Sequence, residues 1–151
     1  MSKIEVGELL YEYTPNITRL TEYGTSLAEL MSGKVVMPPE GARIDVHFEG
    51  PVTGEKLKGT VKGVDYIWIR SDGRMELDIH AEITTEDGQK IYLKADGVGL
   101  PKKDSSISDL KENITLFSSY KNYTWMNTLQ LWGIGTVDLA SLVINVKGYS
   151  A

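Results

Sequence analysis

Met75-Glu76-Leu77-Asp78-Ile79-His80-Ala81-Glu82-Ile83 alternates without a break, apolar at odd positions and polar at even ones. A period of two is the mark of a strand with one face buried. Glu86-Asp87-Gly88 follows, a three-residue hairpin loop with glycine where the backbone turns left-handed. The return, Gln89-Lys90-Ile91-Tyr92-Leu93-Lys94-Ala95, alternates again. Pairing Thr85 with Gln89 sets Glu82 opposite Tyr92, His80 opposite Lys94 and Asp78 opposite Asp96. One stretch therefore predicts a hairpin and its register.

The same rule extends outward along the chain. It predicts strands at Ile4 to Glu12, Arg43 to Gly50, Glu55 to Lys62, Val64 to Arg70, Glu112 to Tyr120, Met126 to Ile134 and Ala140 to Tyr149. Gly50-Pro51, Thr53-Gly54 and Ser71-Asp72-Gly73 separate them as turns. Gly63 interrupts an otherwise continuous run from Leu57 to Ile69 and reads as a bulge or corner glycine. Merging the two halves of that run leaves about eight strands. Eight antiparallel strands with short hairpins is the number at which a sheet closes and fills its own interior. The expected fold is mainly β, a closed up-and-down barrel in one domain over residues 1–151.

One segment departs from alternation. Ser26-Leu27-Ala28-Glu29 fits a capping box, Leu27, Leu30 and Met31 share a helical face, and Gly33 is a natural stop. Ile17, Leu20 and Tyr23 continue that face backwards. The spacing predicts a helical insert over about 17–32, either closing one barrel mouth or covering an open edge. Pro38-Pro39 and Pro101 to Asp109 read as loops.

Composition excludes several functions. With no cysteine, disulfides and thiolate metal sites are ruled out. Only His47 and His80 could serve as imidazole ligands, so no metal site and no cofactor are expected. Sixteen basic against 21 acidic residues give a net charge of −5, which argues against a nucleic-acid partner. No apolar run approaches a membrane span. Met1 to Glu8 lacks a signal-peptide centre, so a cytoplasmic location is expected and the sequons at Asn16, Asn113 and Asn122 read as chance matches.

Two groups of residues could carry chemistry. Asp45, His47 and Glu49 share one strand face, and Glu76, Asp78, His80 and Glu82 share another, with Tyr92 and Lys94 beside them through the hairpin. A carboxylate next to a histidine fixes its tautomer and raises its basicity, as acid–base catalysis requires. Alternation alone leaves two arrangements open. Either this charged face meets water while Leu77, Ile79, Ala81 and Ile83 fill the barrel, or it lines a polar cavity. Aromatic residues form the second group: Tyr66 and Trp68 on one face opposite Asp65, and Tyr120, Tyr123, Trp125 and Trp132 around Asn127.

Three segments then stand in a telling order. Asp65-Tyr66 leads to Arg70-Ser71-Asp72-Gly73; Glu76-Leu77-Asp78 leads to Asp87-Gly88, Ile91-Tyr92 and Gly97. Tyr123-Thr124-Trp125-Met126-Asn127 leads to Gly133-Ile134-Gly135 and an apolar strand ending at Tyr149. From about residue 43 to the end, this arrangement resembles domain-of-unknown-function family 3237. The resemblance implies a calycin-like barrel, similar in outline to lipocalins and allene oxide cyclase-type barrels, and supplies no reaction. It implies that some of Asp65, Asp78, Tyr92, Trp125 and Asn127 line a pocket. The chain departs from the family at His80 and Lys94, where arginine is commoner, and in the 17–32 insert.

Three functions remain open at this stage. The first is a small-molecule-binding barrel for an apolar or aromatic ligand, its site drawn from Asp65, Trp68, Tyr92, Lys94, Tyr123, Trp125 and Asn127. The second is a cofactor-independent isomerase, cyclase or lyase in which Asp78 and His80 move a proton. There Asn127 or Tyr92 would polarise a carbonyl or phenol. The third is a structural barrel that assembles into a homo-oligomer through an apolar outer face.

Overall fold

A computed structural model describes Lys3 and residues 5–151; Ile4, at the start of the first expected strand, lies outside the described residues. The strands are β1 (Leu9–Tyr13), β2 (Asn16–Glu22), β3 (Ala42–Thr53), β4 (Gly59–Ile69), β5 (Met75–Thr85), β6 (Lys90–Pro101), β7 (Ile107–Phe117), β8 (Leu131–Asp138) and β9 (Val143–Ser150). One helix, α1 (Leu27–Met31), lies between β2 and β3, and a 3-10 turn (Thr124–Thr128) precedes β8. Strands β2 to β9 pair antiparallel in sequence order, and Asn16 opposite Val143 closes the ring. The result is a closed eight-stranded barrel with β1 as an extra strand.

β1 extends β2 without occupying a new position in the ring. Glu12 faces Thr53 and Asn16 faces Glu49, so both strands hold one register against β3. Between them Pro15 has no N–H to give the ladder, and its carbonyl accepts from Ile144 N at 3.0 Å. On its other side β1 pairs with β9.

The β5–β6 hairpin has the register read from the sequence: Glu82 faces Tyr92, His80 faces Lys94 and Asp78 faces Asp96. Met75, Leu77, Ile79, Ala81 and Ile83 are buried, while Glu76, Asp78, His80 and Glu82 are exposed. The face left open by alternation is thereby fixed, with the charged side outward. β4 runs unbroken through Gly63, which lies between Phe48 and Ala81. A Cβ there would run into the Ala81 side chain and stand 2.6 Å from the His80 carbonyl oxygen.

The helical insert is shorter than its spacing suggests. Residues 16–22 form β2, and only Leu27–Met31 are helical, capped by Ser26 Oγ accepting from Glu29 N at 3.2 Å. The cause is a bulge between Ile17 and Arg19. It adds one residue to the strand, so Ile17 faces Phe48 and Leu20 faces Val46, both inward partners. An i, i+3 spacing thus arises from a bulged strand and imitates a helix. The loop expected over Pro101 to Asp109 shrinks to residues 102–106, because β6 reaches Pro101 and β7 begins at Ile107. Met126, expected to open a strand, lies in the 3-10 turn.

The two barrel mouths are closed differently. At one, Met126 is fully buried, as are Leu57, Ile83, Ile91 and Leu131 of the same core. Full burial of one such side chain contributes about 1.5–3 kcal/mol, so this end is a packed plug. At the other, Leu27, Leu30 and Met31 of α1 line a cavity of about 220 Å³ with Ile69, Met75 and Leu139. Among the described residues, the helix side of the interior is where this room for a ligand lies.

Candidate functional site

The residues expected to form a site divide between the wall and the interior. Asp78 and His80 do come together: His80 Nε2 lies 3.1 Å from Asp78 Oδ1, and His80 Nδ1 lies 2.8 Å from Tyr92 Oη. The Tyr66 ring meets His80 edge-on at 5.9 Å, and Arg43 stands 5.7 Å over Tyr66. All of this lies on the outer wall. His80 and Asp78 keep about half of their side-chain surface in water, so no enclosed pocket surrounds the pair. Strand polarity decides this, because the sheet turns its even positions on β5 and β6 away from the core.

Lys94 projects from that same outer face, and Trp68 and Tyr92 are exposed there. Tyr123, Trp125 and Asn127 belong to the opposite, plugged end. Asn127 accepts from Ser118 N and donates to Ser118 O, both at 2.8 Å, which pins the 3-10 turn. Trp125 donates to the Asn122 carbonyl and is covered by Lys56. Tyr123 reaches Asp87 at 3.4 Å. These three residues build a plug and line no interior cavity. Of the expected set, Asp65 alone points into the barrel.

Asp65 lies in the inward phase of β4 with Val61, Ile67 and Ile69. The β4–β5 ladder pairs Asp65 with Ile79 and Trp68 with Glu76 and skips the two positions between. In that gap Asp78 N donates to Asp65 Oδ1 at 3.0 Å. The carboxylate thus takes the place of a ladder carbonyl and is held rigidly against the wall.

Three strands further round, Glu112 points inward from β7 between Leu110 and Ile114. Its pairing partners on both sides are glycines, Gly97 and Gly133. A Cβ on Gly133 would stand 3.0 Å from Glu112 Cβ and 2.7 Å from Ile114 Cδ1. A Cβ on Gly97 would strike the Lys111 carbonyl. The missing side chain at Gly133 therefore clears space beside the Glu112 stem, and Gly97 lets the β6 and β7 backbones approach. The Tyr13 hydroxyl is the polar group that acts on it from β1, and Glu112 Oε1 has no hydrogen-bond partner. Tyr13 in turn packs edge-on against Tyr11 and Phe48.

Asp65, Glu112 and Tyr13 all face one enclosed void of about 30 Å³, otherwise walled by apolar side chains such as Val46, Ile67 and Ile79. That volume admits about two water-sized groups. Met75 and Leu139 line both this void and the cavity under α1, so the two adjoin across a wall of two side chains. Burial raises both carboxyls. Asp65 is pushed up to about 7, opposed by the Asp78 N–H bond, and Glu112 to about 8, with the Asp65 charge adding to its burial. Burial also drives the Tyr13 hydroxyl well above its ordinary value. Titratable groups so displaced, in a concave apolar setting, are what a functional site requires.

Glu112 is not among the candidate residues named from the sequence, although a signal for it exists there. Leu110, Ile114 and Leu116 set the apolar phase of their strand, and Glu112 falls in that phase. Tyr11 and Tyr13 carry no such signal, since their alternation is that of any half-buried strand. Among the described residues, no three His, Asp or Glu side chains group as metal ligands.

No curated protein matches the chain. Solved structures do match it. A β-barrel-like protein from Acinetobacter baumannii AYE superposes with a TM-score of 0.77 at 19% identity, covering 99% of this chain and 97% of that one. A protein of unknown function from Clostridium acetobutylicum superposes with a TM-score of 0.76 at 20% identity, covering 95% and 96%. An enzyme from Penicillium herquei superposes with a TM-score of 0.62 at 18% identity, covering 99% and 98%. At such identities the likeness is one of fold. A sequence profile described as a protein of unknown function, DUF3237, matches residues 31–147, and the chain belongs to that family.

Proposed function

We propose that this barrel binds a small, largely apolar molecule through its helix-covered mouth, with one polar end received by Asp65, Glu112 and Tyr13. The observation that carries this reading is Glu112 Oε1, a buried polar atom without a partner at the wall of an otherwise apolar void. An unpaired buried oxygen costs about 1–3 kcal/mol, which a hydrogen-bonding ligand group would recover. The cavity of about 220 Å³ under α1 suits a one- or two-ring molecule. Its walls, Leu27, Leu30, Met31 and Met37, are flexible aliphatic and thioether side chains that adapt to shape. The fold itself is compatible with catalysis, since the Penicillium herquei protein that shares it is described as an enzyme.

Saturation-transfer NMR with 1-tetralone and 2-naphthol tests the site, with Leu30→Trp as the variant that fills the mouth. The expected result is transfer to at least one probe in the native protein and its loss in Leu30→Trp. Equal transfer in both proteins would place binding elsewhere and overturn the reading.

A further inference from the structure

The two interior carboxyls have opposite hydrogen-bonding environments. Asp65 Oδ1 accepts a backbone N–H from Asp78, a bond that favours its ionised form. Glu112 Oε1 meets no donor, and burial with the Asp65 charge outweighs the opposing effect of the Tyr13 hydroxyl, so the protonated form of its carboxyl is favoured. One side of the void therefore presents a proton acceptor and the other a proton donor. They stand on β4 and β7, three strands apart, with the void between them.

We infer that Asp65 and Glu112 are an acid–base pair acting on an enolisable ketone: Asp65 takes a proton from the carbon beside the carbonyl, and Glu112 gives one to the carbonyl oxygen. This inference rests on the binding reading above. The C–H bond breaks towards Asp65, its electron pair becomes the carbon–carbon double bond, and the carbonyl π pair forms the O–H bond with the Glu112 proton. Ketone becomes enol, Asp65 ends neutral and Glu112 ionised. No oxidant, reductant or second substrate enters. Reprotonation at the same carbon restores the ketone with a solvent-derived hydrogen. Reprotonation at a distant carbon of a conjugated ketone moves its double bond.

The surroundings explain why a pair is needed. A free enolate in this apolar void would carry an unsolvated charge, so abstraction without simultaneous donation is disfavoured. Donation from a carboxyl kept neutral by burial avoids that charge, and burial raises Glu112 as required.

The test is hydrogen exchange of 1-tetralone in D2O near neutral pD, followed by proton NMR at the carbon next to the carbonyl, with saturation transfer read on the same samples. The full-length protein should accelerate deuteration about 100-fold or more over buffer, the lower range for positioned acid–base groups. Asp65→Asn should return exchange to the buffer rate, and Glu112→Gln should cost at least tenfold, both with saturation transfer retained. Saturation transfer with exchange at the buffer rate in the native protein overturns the inference and leaves the binding reading standing. Absence of saturation transfer overturns both. Exchange undiminished in Asp65→Asn overturns the assignment of the base, and His80→Ala, altered only on the outer wall, should exchange as the native protein does.

Discussion

Asp65 and Glu112 stand on strands three positions apart in an eight-stranded ring, and both turn their carboxyls into one interior void. An all-apolar filling would be more stable at neutral pH, because each buried carboxyl must stay protonated or lose hydration. Their presence therefore opposes stability, and that opposition has measurable signs.

The first concerns pH. Both groups have folded values raised above their unfolded ones, from 3.8 to about 7 for Asp65 and from 4.5 to about 8 for Glu112. Between those limits the native state holds more protons than the unfolded one, so unfolding free energy falls as pH rises. Their contribution is complete below about pH 4 and is lost as pH passes 7 and 8. Asp65 faces Asp78, Arg43 and Tyr13, and Glu112 faces Asp65, Tyr11 and Tyr13. At 1.36 kcal/mol per unit the ceiling is about 4–5 kcal/mol for each group. Asp87 and Asp138 shift the other way, and their loss of stability falls at acid pH, outside this window. Urea unfolding from pH 5 to 8.5 should show declining stability in the native protein and a shallower decline in Asp65→Asn and Glu112→Gln. A native profile that is flat or rising would contradict the burial of these carboxyls.

A second prediction tests the room made for Glu112. Gly133→Ala sets a methyl 3.0 Å from Glu112 Cβ and 2.7 Å from Ile114 Cδ1. Overpacking of this kind costs about 1–3 kcal/mol, visible as a lower urea midpoint with an unchanged slope. Combining it with Glu112→Gly, which removes that Cβ, should restore part of that loss. Strict additivity of the two changes would mean that Gly133 does not serve the carboxyl.

A third prediction separates the wall from the interior. The Asp78–His80 pair is solvated on both sides, so its worth is that of a surface ion pair, about 0–1 kcal/mol. His80→Ala should leave the unfolding midpoint near its native value and leave saturation transfer to interior ligands unchanged. A loss of binding in that variant would return function to the outer face.

The amino-acid sequence by itself determined the sheet. Alternation from Met75 to Ile83, the glycine loop at Gly88 and the matching return strand define a hairpin whose register the folded chain keeps. Period two is a local property, and short turns leave few ways to join successive strands, so strand order and closure follow from it. Where a bulge changes the period, as at Ile17 and Leu20, the same local rule misreads a strand as a helix.

Only the tertiary structure decided which residues face one another inside the ring. Asp78, His80 and Tyr92 are neighbours across one hairpin, which pattern can show, and they lie outside. Asp65 and Glu112 are 47 positions apart in the chain and meet only because the sheet closes, with β5 and β6 curving between them. Which face of an alternating strand turns inward is a one-residue choice, set by the summed burial of every strand in the barrel. That choice moved the candidate chemistry from a histidine on the wall to two carboxyls in the core.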